Sequence, residues 1–188
     1  ALRKSMDEAA VVDINGVSTG RSWSSGPHSR AEMDALFPRG FWPSRRFGVV
    51  QKGSVRPCDD CRESEQNAAS SQSESIVCDG TDFPSLLADL YLSELGSRAV
   101  LAGGTDDWRK AYRQVPSSDP SHQVVALWDP DAKRVVYFIV WGKCFGQVHA
   151  VNAFNSLSKF LSCVARRLFG ASVGNYFDDH VAVEPTFA

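Results

Sequence analysis

Two adjacent carboxylates, Asp178 and Asp179, lie in the segment NYFDDH at residues 175–180. Their negative charges repel each other unless a cation or a hydrogen-bond donor offsets the repulsion. A solvated turn, in which aspartate is common, is the simplest interpretation of such a pair. A bound cation is the alternative, and it requires further oxygen ligands from elsewhere in the chain.

A third carboxylate that could join this pair is Asp107, in the segment GGTDDWRKAYRQVP at residues 103–116. It ends a predicted strand about 70 residues before Asp178, and a strand end and a hairpin turn of one sheet can bring such distant residues together. Three carboxylates on one side of a sheet suit two Mg²⁺ ions, which prefer oxygen ligands. Two such ions about 3.5–4 Å apart can activate an attacking hydroxyl and stabilise the leaving oxygen in phosphoryl transfer. Their charge would also offset the repulsion between the paired aspartates.

The composition of the 188 residues is typical of a folded protein. With 43% hydrophobic and 11% aromatic residues, the chain can bury a core in one large domain or in two small lobes. The net charge of −2 is not that of a strongly basic nucleic-acid-binding protein, so any basic groove must be local.

The five cysteines are irregularly spaced and indicate reduced thiols in an intracellular protein, in the cytoplasm or the nucleus. No apolar run reaches the roughly 18 residues of a membrane-spanning helix, so no membrane partner is expected.

The strands that must position the carboxylates follow from β-branched and aromatic runs. Two short strands at residues 47–51 and 55–58 flank a tight turn, KGS. The segment RAVLAGGTDD at residues 98–107 predicts an apolar, buried strand. The clearest hairpin is HQVVALWDPDAKRVVYFIVW at residues 122–141. A second hairpin is predicted for ASVGNYFDDHVAVE at residues 171–184, with the two aspartates at its turn.

Three segments predict helices. A short helix covers RAEMDALF at residues 30–37, and a second covers residues 81–96, with Asp82 as its N-cap, Gly96 after its end and leucines at near-helical spacing. The third covers residues 145–170 and has an apolar stripe that is expected to be core: Val148, Val151, Phe154, Leu157, Leu161, Val164 and Leu168. Strands and helices without regular βαβ alternation predict an α+β fold.

Four segments of the sequence resemble motifs of one family, the reverse transcriptases of retroelements. TDDWRKAYRQVP resembles the first palm motif, in which an aromatic residue follows the catalytic aspartate five residues later. FGQVHAVNAF resembles the motif that opens the helix under the template and the nucleotide, and YFDD resembles the Tyr-x-Asp-Asp hairpin, the family's most specific short signature. KGSVRPCDDCRESEQN resembles the fingers segment of long-terminal-repeat and tyrosine-recombinase retrotransposons. The resemblance covers about residues 45–185.

The resemblance implies a palm-type antiparallel sheet backed by helices, together with a fingers subdomain. Residues 45–98 would be part of the fingers, and residues 99–118 the palm strand with the first catalytic aspartate. Residues 119–144 would be a fingers hairpin, and residues 145–188 the palm helix and the YFDD hairpin; residues 1–44 are a poorly defined N-terminal segment. The chain would be a polymerase core truncated at its C-terminal end, without the rest of the palm, the primer grip and the thumb.

The resemblance also implies roles for the acidic residues. Asp107, Asp178 and Asp179 match the catalytic carboxylates that bind two Mg²⁺ ions, for which Mn²⁺ could substitute. Trp108 would contribute only its backbone carbonyl to a metal. Asp106 stands beside Asp107, but the five-residue offset to the aromatic residue selects Asp107.

Four further residues match substrate-binding positions of the family. Arg56 and Lys52 match the fingers cations that bind the triphosphate, where charge-assisted hydrogen bonds are strong. Tyr112 matches the aromatic gate beneath the nucleotide sugar, where a ring packed against C2′ leaves no room for a 2′-hydroxyl. That hydroxyl is the group by which a protein distinguishes RNA from DNA. Gly146 matches the small residue that lets template and nucleotide approach the start of the helix.

The implied function is RNA-directed DNA polymerisation. The 3′-hydroxyl of a primer, paired to an RNA or DNA template, would attack the α-phosphate of a deoxynucleoside triphosphate (dNTP) and release pyrophosphate. A catalytically inactive retroelement remnant, or a nucleic-acid-binding module, is the first alternative. An RNA-directed RNA polymerase is the second, and the gate at Tyr112 argues against it. Two positions depart from the family pattern, since Val151 stands where proline is usual and the bulky Phe177 precedes the acidic pair.

Other polar residues are interpreted as structural. The Cys-x-x-Cys pair in CDDC lacks the second pair that a structural zinc site needs, so Cys58 is interpreted as a strand residue. His149 is expected to be structural or exposed, and His180 to lie at the surface. Arg166 and Arg167 are expected to interact with the dipole and the solvent at the end of their helix.

Overall fold

The computed structural model of the chain describes residues 2, 3, 5, 23–73, 75–96, 98–108 and 110–186. The chain forms two compact units, of which unit 1 comprises Ala1–Gln72 and Tyr112–Ala150, and unit 2 comprises Ser73–Ala111 and Val151–Ala188. The predicted α+β class is confirmed, because a mixed sheet and an antiparallel sheet occur together with three α-helices that have both ends within the described residues.

Unit 1 is built on a five-stranded sheet in the order β1-β6-β5-β2-β3. Its strands are β1 (Ser24–His28), β2 (Pro43–Gln51), β3 (Ser54–Asp60), β5 (Val124–Asp129) and β6 (Arg134–Val140). The predicted strands at 47–51 and 55–58 and the predicted hairpin at 122–141 are confirmed, and β2 and β3 are longer than predicted. Neighbouring strands are antiparallel except β2 and β5, whose parallel pairing was not predicted.

The two faces of this sheet carry separate cores, because successive strand residues point to opposite faces. The larger core consists of Cys61, Val125, Leu127, Val136, Phe138, Val140 and Cys144. The smaller core consists of Met33, Val124 and Ile139. Met33 belongs to α1 (Arg30–Leu36), which begins with a capping box between Ser29 and Glu32. The predicted helix at 30–37 is thereby confirmed.

Unit 1 also buries a charged network. Arg46 and Asp59 face each other across β2 and β3, and Arg46 Nε donates to Asp59 Oδ1 at 2.5 Å with both side chains fully buried. Arg113 donates to the other carboxylate oxygen of Asp59 at 3.4 Å. Removing Asp59 would leave the two buried guanidinium groups without their counter-charge. The network therefore ties the pairing of β2 with β3 to the position of the segment around Arg113.

Unit 2 contains a three-stranded antiparallel sheet in the order β4-β8-β7. Its strands are β4 (Leu101–Asp107), β7 (Val173–Tyr176) and β8 (Asp179–Pro185). The helices are α2 (Phe83–Leu95) and α3 (Val148–Phe169), which belongs to unit 2 from Val151 onward. The predicted helices at 81–96 and 145–170 and the predicted hairpin at 171–184 are confirmed. None of the described helices combines the length and the apolar character that crossing a membrane requires.

Two expectations about burial in unit 2 are wrong. The strand predicted to be buried, β4, is exposed from Ala102 to Asp107, because it is an edge strand and contains two glycines. No residue of α2 is buried, so its leucine spacing does not correspond to a buried face. Asp82 occupies the N-cap position as predicted but makes no side-chain cap hydrogen bond.

The apolar stripe predicted for α3 is buried only in part. Phe154 is fully buried, whereas Val148 is 43% and Leu168 is 74% exposed. The fully or almost fully buried positions one and two turns after Phe154 are serines, Ser158 and Ser162. Hydropathy alone could not identify them, because their burial depends on hydrogen-bond partners from other elements.

The cysteines are expected to differ strongly in reactivity. Burial raises the pKa of Cys61 to about 11 and that of Cys144 to about 12, whereas Cys163 is exposed. Because the thiolate is the reactive form, iodoacetamide at about pH 8 should modify Cys163 first and the two buried thiols only after denaturation. Site-resolved mass spectrometry measures the rates. Cys163→Ser should remove the fastest phase, and rapid modification of Cys61 or Cys144 in the native protein would contradict the described cores.

Candidate active site

The pairing of β4 with β8 determines which carboxylates meet. Asp107 is the cross-strand partner of Asp179, and Asp106 is the partner of His180. Directly opposed residues of an antiparallel pair have Cβ atoms about 4.5–5.5 Å apart on the same face. We call the face with Asp107 and Asp179 the carboxylate face, and the opposite face, with Asp106 and His180, the helix face, because α3 packs against it.

Asp178 occupies the two-residue turn between β7 and β8, directly after Phe177. Tyr176 pairs with Asp179, so the hairpin has the shortest common loop length. Phe177 has a φ of +53°, in the left-handed region that bulky residues rarely adopt. The backbone N–H of Trp108 donates to the carbonyl oxygen of Asp178 at 3.4 Å, which joins this turn to the end of β4.

The structure therefore brings the three predicted acidic residues, Asp107, Asp178 and Asp179, to one end of the unit 2 sheet together with Trp108. Among the described residues, no group of three or more His, Cys, Asp or Glu side chains is arranged to hold a metal ion. The possible ligand atoms of Asp107, Trp108, Asp178 and Asp179 are oxygen atoms, the donors that Mg²⁺ and Mn²⁺ take in proteins. The donor chemistry fits the predicted ions, and the two-ion site stays a prediction.

A cleft of about 400 Å³ adjoins Asp179 in unit 2. It is lined by β7 and β8 on one side and by residues 79–84 on the other. A Cβ on Gly174 would lie 2.5 Å from the ring of Phe83, so a glycine is needed for this ring to lie against β7. The sequence patterns gave no indication of this contact, because Phe83 and Gly174 are distant in sequence.

Residues 79–84 are held in place by Asp79. Its Oδ2 atom accepts hydrogen bonds from the backbone N–H of Asn175 and from Arg166, both at 2.8 Å. Arg166 Nε also donates to the carbonyl oxygen of Val173 at 2.7 Å. As expected, Arg166 lies exposed in the last turn of α3, and its two hydrogen bonds also connect α3 to β7 and to Asp79. The Asp79–Arg166 ion pair is partly exposed, so its role is to fix geometry rather than to add much stability.

His180 does not have the surface role expected for it. Its ring is half-buried on the helix face, with Nδ1 3.0 Å from Trp108 Nε1 and Nε2 3.1 Å from Ser158 Oγ. Trp108 packs edge-on against Phe154, with ring centroids 5.5 Å apart. Trp108, to which the resemblance gave only a backbone role, therefore has structural side-chain contacts as well.

The other predicted site residues belong to unit 1. Lys52 and Gly53 form the turn between β2 and β3, with φ of +49° and +73°, and Gln51 pairs with Ser54. Positive φ at both central residues is the type I′ turn, one of the two turn types whose twist matches that of the strands in a two-residue hairpin. Lys52 and Arg56 are both exposed on this hairpin.

Tyr112 and Gly146 lie in tighter surroundings within unit 1. The ring of Tyr112 contacts the ring of Phe145 edge-on, with centroids 4.9 Å apart. Gly146 has a φ of +105°, and a Cβ there would lie 2.3 Å from the carbonyl oxygen of Asp59. Packing against Asp59 therefore requires a glycine at residue 146, independently of any ligand.

Asn67 holds the start of α3 within unit 1. Its Nδ2 donates to the carbonyl oxygen of Gly146 at 2.9 Å, and its Oδ1 accepts from the backbone N–H of Val148 at 3.0 Å. Asn67, which the resemblance assigns to a fingers segment, thus satisfies a backbone N–H that a helix start leaves without an intrahelical partner. His149 follows in the same turn, half-buried, and burial lowers its pKa.

Comparisons of the sequence with models of known protein families and with curated proteins gave no match. The interpretation of the site therefore depends on the motifs and on the geometry of the chain itself. In that geometry, Asp107, Trp108, Asp178 and Asp179 belong to unit 2, and Lys52, Arg56, Tyr112 and Gly146 belong to unit 1.

Gly146→Ala is expected to destabilise the protein by more than the roughly 1–3 kcal/mol that an unfavourable backbone conformation costs, because the new Cβ would also collide with the carbonyl oxygen of Asp59. Gly40→Ala is the matched control, since Gly40 has a φ of +96° but no atom within 4 Å of a Cβ there. Urea unfolding gives the free energy of unfolding of both variants. Equal losses would contradict the close approach of Gly146 to Asp59.

Proposed function

We propose that the chain is the fingers and palm region of a retroelement reverse transcriptase, an RNA-directed DNA polymerase. The observation that carries this proposal is the pairing of β4 with β8, which sets Asp107 opposite Asp179 with Asp178 in the adjoining turn. The motifs TDDWRKAYRQVP and YFDD supply these residues, and the proposed chemistry requires their carboxylates at one place. Unit 2 would be the palm.

The proposed fingers correspond to unit 1. The segments 45–72 and 119–144 contribute β2, β3, β5 and β6 to one sheet, which supports placing them in one subdomain. Residues 73–98 lie in unit 2, so within this proposal α2 belongs with the palm. The finer segment boundaries stay predictions.

In the proposed mechanism, Asp107, Asp178 and Asp179 would hold two Mg²⁺ or Mn²⁺ ions, with the carbonyl oxygen of Trp108 as a further ligand. Such ions supply activation of the primer 3′-hydroxyl and charge stabilisation at the leaving pyrophosphate. Asp107 and Asp179 are exposed, so their side chains can adopt the rotamers that ligation requires. The strand pairing fixes their backbones opposite each other before any ligand arrives.

The residues of unit 1 would bind the nucleotide. Lys52 and Arg56, exposed on the β2–β3 hairpin, would donate charge-assisted hydrogen bonds to the triphosphate. Tyr112 would pack against C2′ of the sugar and exclude a 2′-hydroxyl. Template and primer would be bound mainly through their phosphates, so affinity should fall as salt rises. Base pairing with the template would select the incoming base.

Primer extension tests the proposed function. With a short RNA template, a DNA primer, Mg²⁺ and dNTPs, we expect extension that falls at least about 100-fold in Asp107→Asn and in Asp179→Asn, as expected when a charged group is lost at a reacting centre. Asp106→Asn is the matched control, because Asp106 neighbours Asp107 but projects from the helix face. It should keep most of the activity.

Three outcomes would contradict this account. Equal losses in Asp106→Asn and Asp107→Asn would contradict the assignment of the carboxylate face. Template-dependent incorporation of ribonucleotides alone would favour an RNA-directed RNA polymerase. Binding of primer–template without extension would favour the nucleic-acid-binding module or the inactive remnant.

Tyr112→Ala is expected to raise the use of ribonucleotides relative to deoxynucleotides. Removing the ring makes room for one hydroxyl, and differences of one small group in a pocket change selectivity roughly 10- to 200-fold. The measurement is the ratio of kcat/KM for each nucleotide pair in primer extension. Tyr112→Phe keeps the ring and should keep the selectivity, and an unchanged ratio in Tyr112→Ala would refute the gate.

A further inference from the structure

The helix face of the unit 2 sheet carries a chain of hydrogen bonds that ends on the turn holding Asp178. Trp108 Nε1 donates to His180 Nδ1 at 3.0 Å, and His180 Nε2 lies 3.1 Å from Ser158 Oγ. Ser158 Oγ donates to the carbonyl oxygen of Phe177 at 3.0 Å. The chain thus connects β4, β8 and α3 to the turn.

Asn175 adds a second route to the same carbonyl. Its Nδ2 donates to Ser158 Oγ at 2.5 Å and to the carbonyl oxygen of Phe177 at 2.9 Å. Ser158 and Asn175 are 0% and 2% exposed. Their hydrogen bonds therefore form away from bulk water, where a donor or acceptor left without a partner is costly.

The direction of every bond follows from the indole of Trp108, which can only donate. His180 Nδ1 must accept, so the single proton of the neutral ring is on Nε2 and is donated to Ser158 Oγ. Ser158 Oγ also accepts a hydrogen bond from Asn175 Nδ2, and the hydroxyl of Ser158 donates its hydrogen bond to the carbonyl oxygen of Phe177. The hydroxyl makes all three hydrogen bonds of which it is capable.

The network holds the peptide groups on both sides of Asp178. The carbonyl of Phe177, which precedes it, accepts from Ser158 and Asn175, and the carbonyl of Asp178 itself accepts from the backbone N–H of Trp108. Phe177 has a φ of +53°, a conformation that persists only where the surroundings impose it. The two-residue loop between Tyr176 and Asp179 requires this conformation, and the hydrogen bonds to its carbonyl groups restrain the turn further.

We propose that His180 is a positioning residue that fixes the turn so that Asp178 and Asp179 are oriented for cation binding. This inference rests on the proposed function, in which these carboxylates hold the ions. His180 projects from the helix face, whereas Asp179 projects from the carboxylate face, so its ring acts through Ser158 and the turn backbone and not on the reacting atoms.

Three substitutions at His180 separate its two hydrogen bonds. His180→Asn keeps an acceptor near the Nδ1 position, His180→Gln keeps a donor near the Nε2 position, and His180→Phe keeps only the ring. Ser158→Ala removes the link to the turn. Ser162→Ala is the matched control, because Ser162 is buried one helical turn further along α3 and donates to the carbonyl of Ser158 at 3.1 Å.

Three quantities are measured for each variant. They are the hydrogen-exchange rate of the turn amides at residues 177–179 without metal, the Mn²⁺ affinity from the EPR signal of the unbound ion, and kcat and KM in primer extension. We expect His180→Phe and Ser158→Ala to speed exchange at least about fivefold, the effect of one lost net hydrogen bond. Mn²⁺ affinity and kcat should fall by at least the same factor.

The remaining expectations concern KM and the milder variants. KM for the dNTP should stay within about twofold of the wild-type value in every variant, since the residues proposed to bind the triphosphate belong to unit 1. His180→Asn and His180→Gln should each lose less than His180→Phe. Ser162→Ala should match the wild type in all three measurements.

The possible failures are distinguishable. Unchanged exchange in His180→Phe would overturn the network, and faster exchange with wild-type Mn²⁺ affinity and kcat would overturn the positioning role while leaving the polymerase intact. If the wild-type protein binds Mn²⁺ but extends no primer, and His180→Phe weakens that binding, the positioning role would be supported and the polymerase refuted. A wild-type protein that shows neither Mn²⁺ binding nor extension would overturn both.

Discussion

The antiparallel register between β4 and β8 is the constraint on which unit 2 depends. It places Asp107 opposite Asp179 on one face and Asp106 opposite His180 on the other. Because side chains alternate between the faces of a strand, a slip of one residue would exchange the two neighbouring aspartates between the faces. The hydrogen bond between Trp108 and His180 exists only in the observed register, so it opposes the slip.

The two faces of this sheet have different chemistry. On the helix face, hydrogen bonds through Ser158 hold the turn, and Trp108 packs against Phe154. The carboxylate face leaves Asp107 and Asp179 exposed, and a cleft adjoins Asp179. A rigid backbone with exposed carboxylates suits the binding of hard cations, because ligand positions are set in advance while the side chains stay accessible. In unit 1 the corresponding rigid element is the buried network around Asp59, which supports the segment next to Gly146.

Local sequence patterns predicted most elements of the fold, and they failed where burial depends on tertiary partners. The hairpins and α3 followed from alternation and helical spacing, and the KGS turn from its residues. The exposure of β4 could not be predicted, because the residue pattern of a strand does not show whether the strand lies at the edge or in the centre of its sheet. The acidic residues were predicted from their motifs, and only the β4–β8 pairing shows that Asp107, rather than Asp106, lies opposite Asp179. The role of His180 depends on partners 22 and 72 residues away, which no local pattern reveals.

Anomalous X-ray scattering from crystals of the protein soaked in Mn²⁺ tests the central claim most directly. The account predicts β4 and β8 paired with Asp107 opposite Asp179, and Mn²⁺ peaks within coordination distance of the carboxylate oxygens of Asp107, Asp178 and Asp179. Strands paired in another register, or Mn²⁺ bound only at other acidic residues, would contradict it.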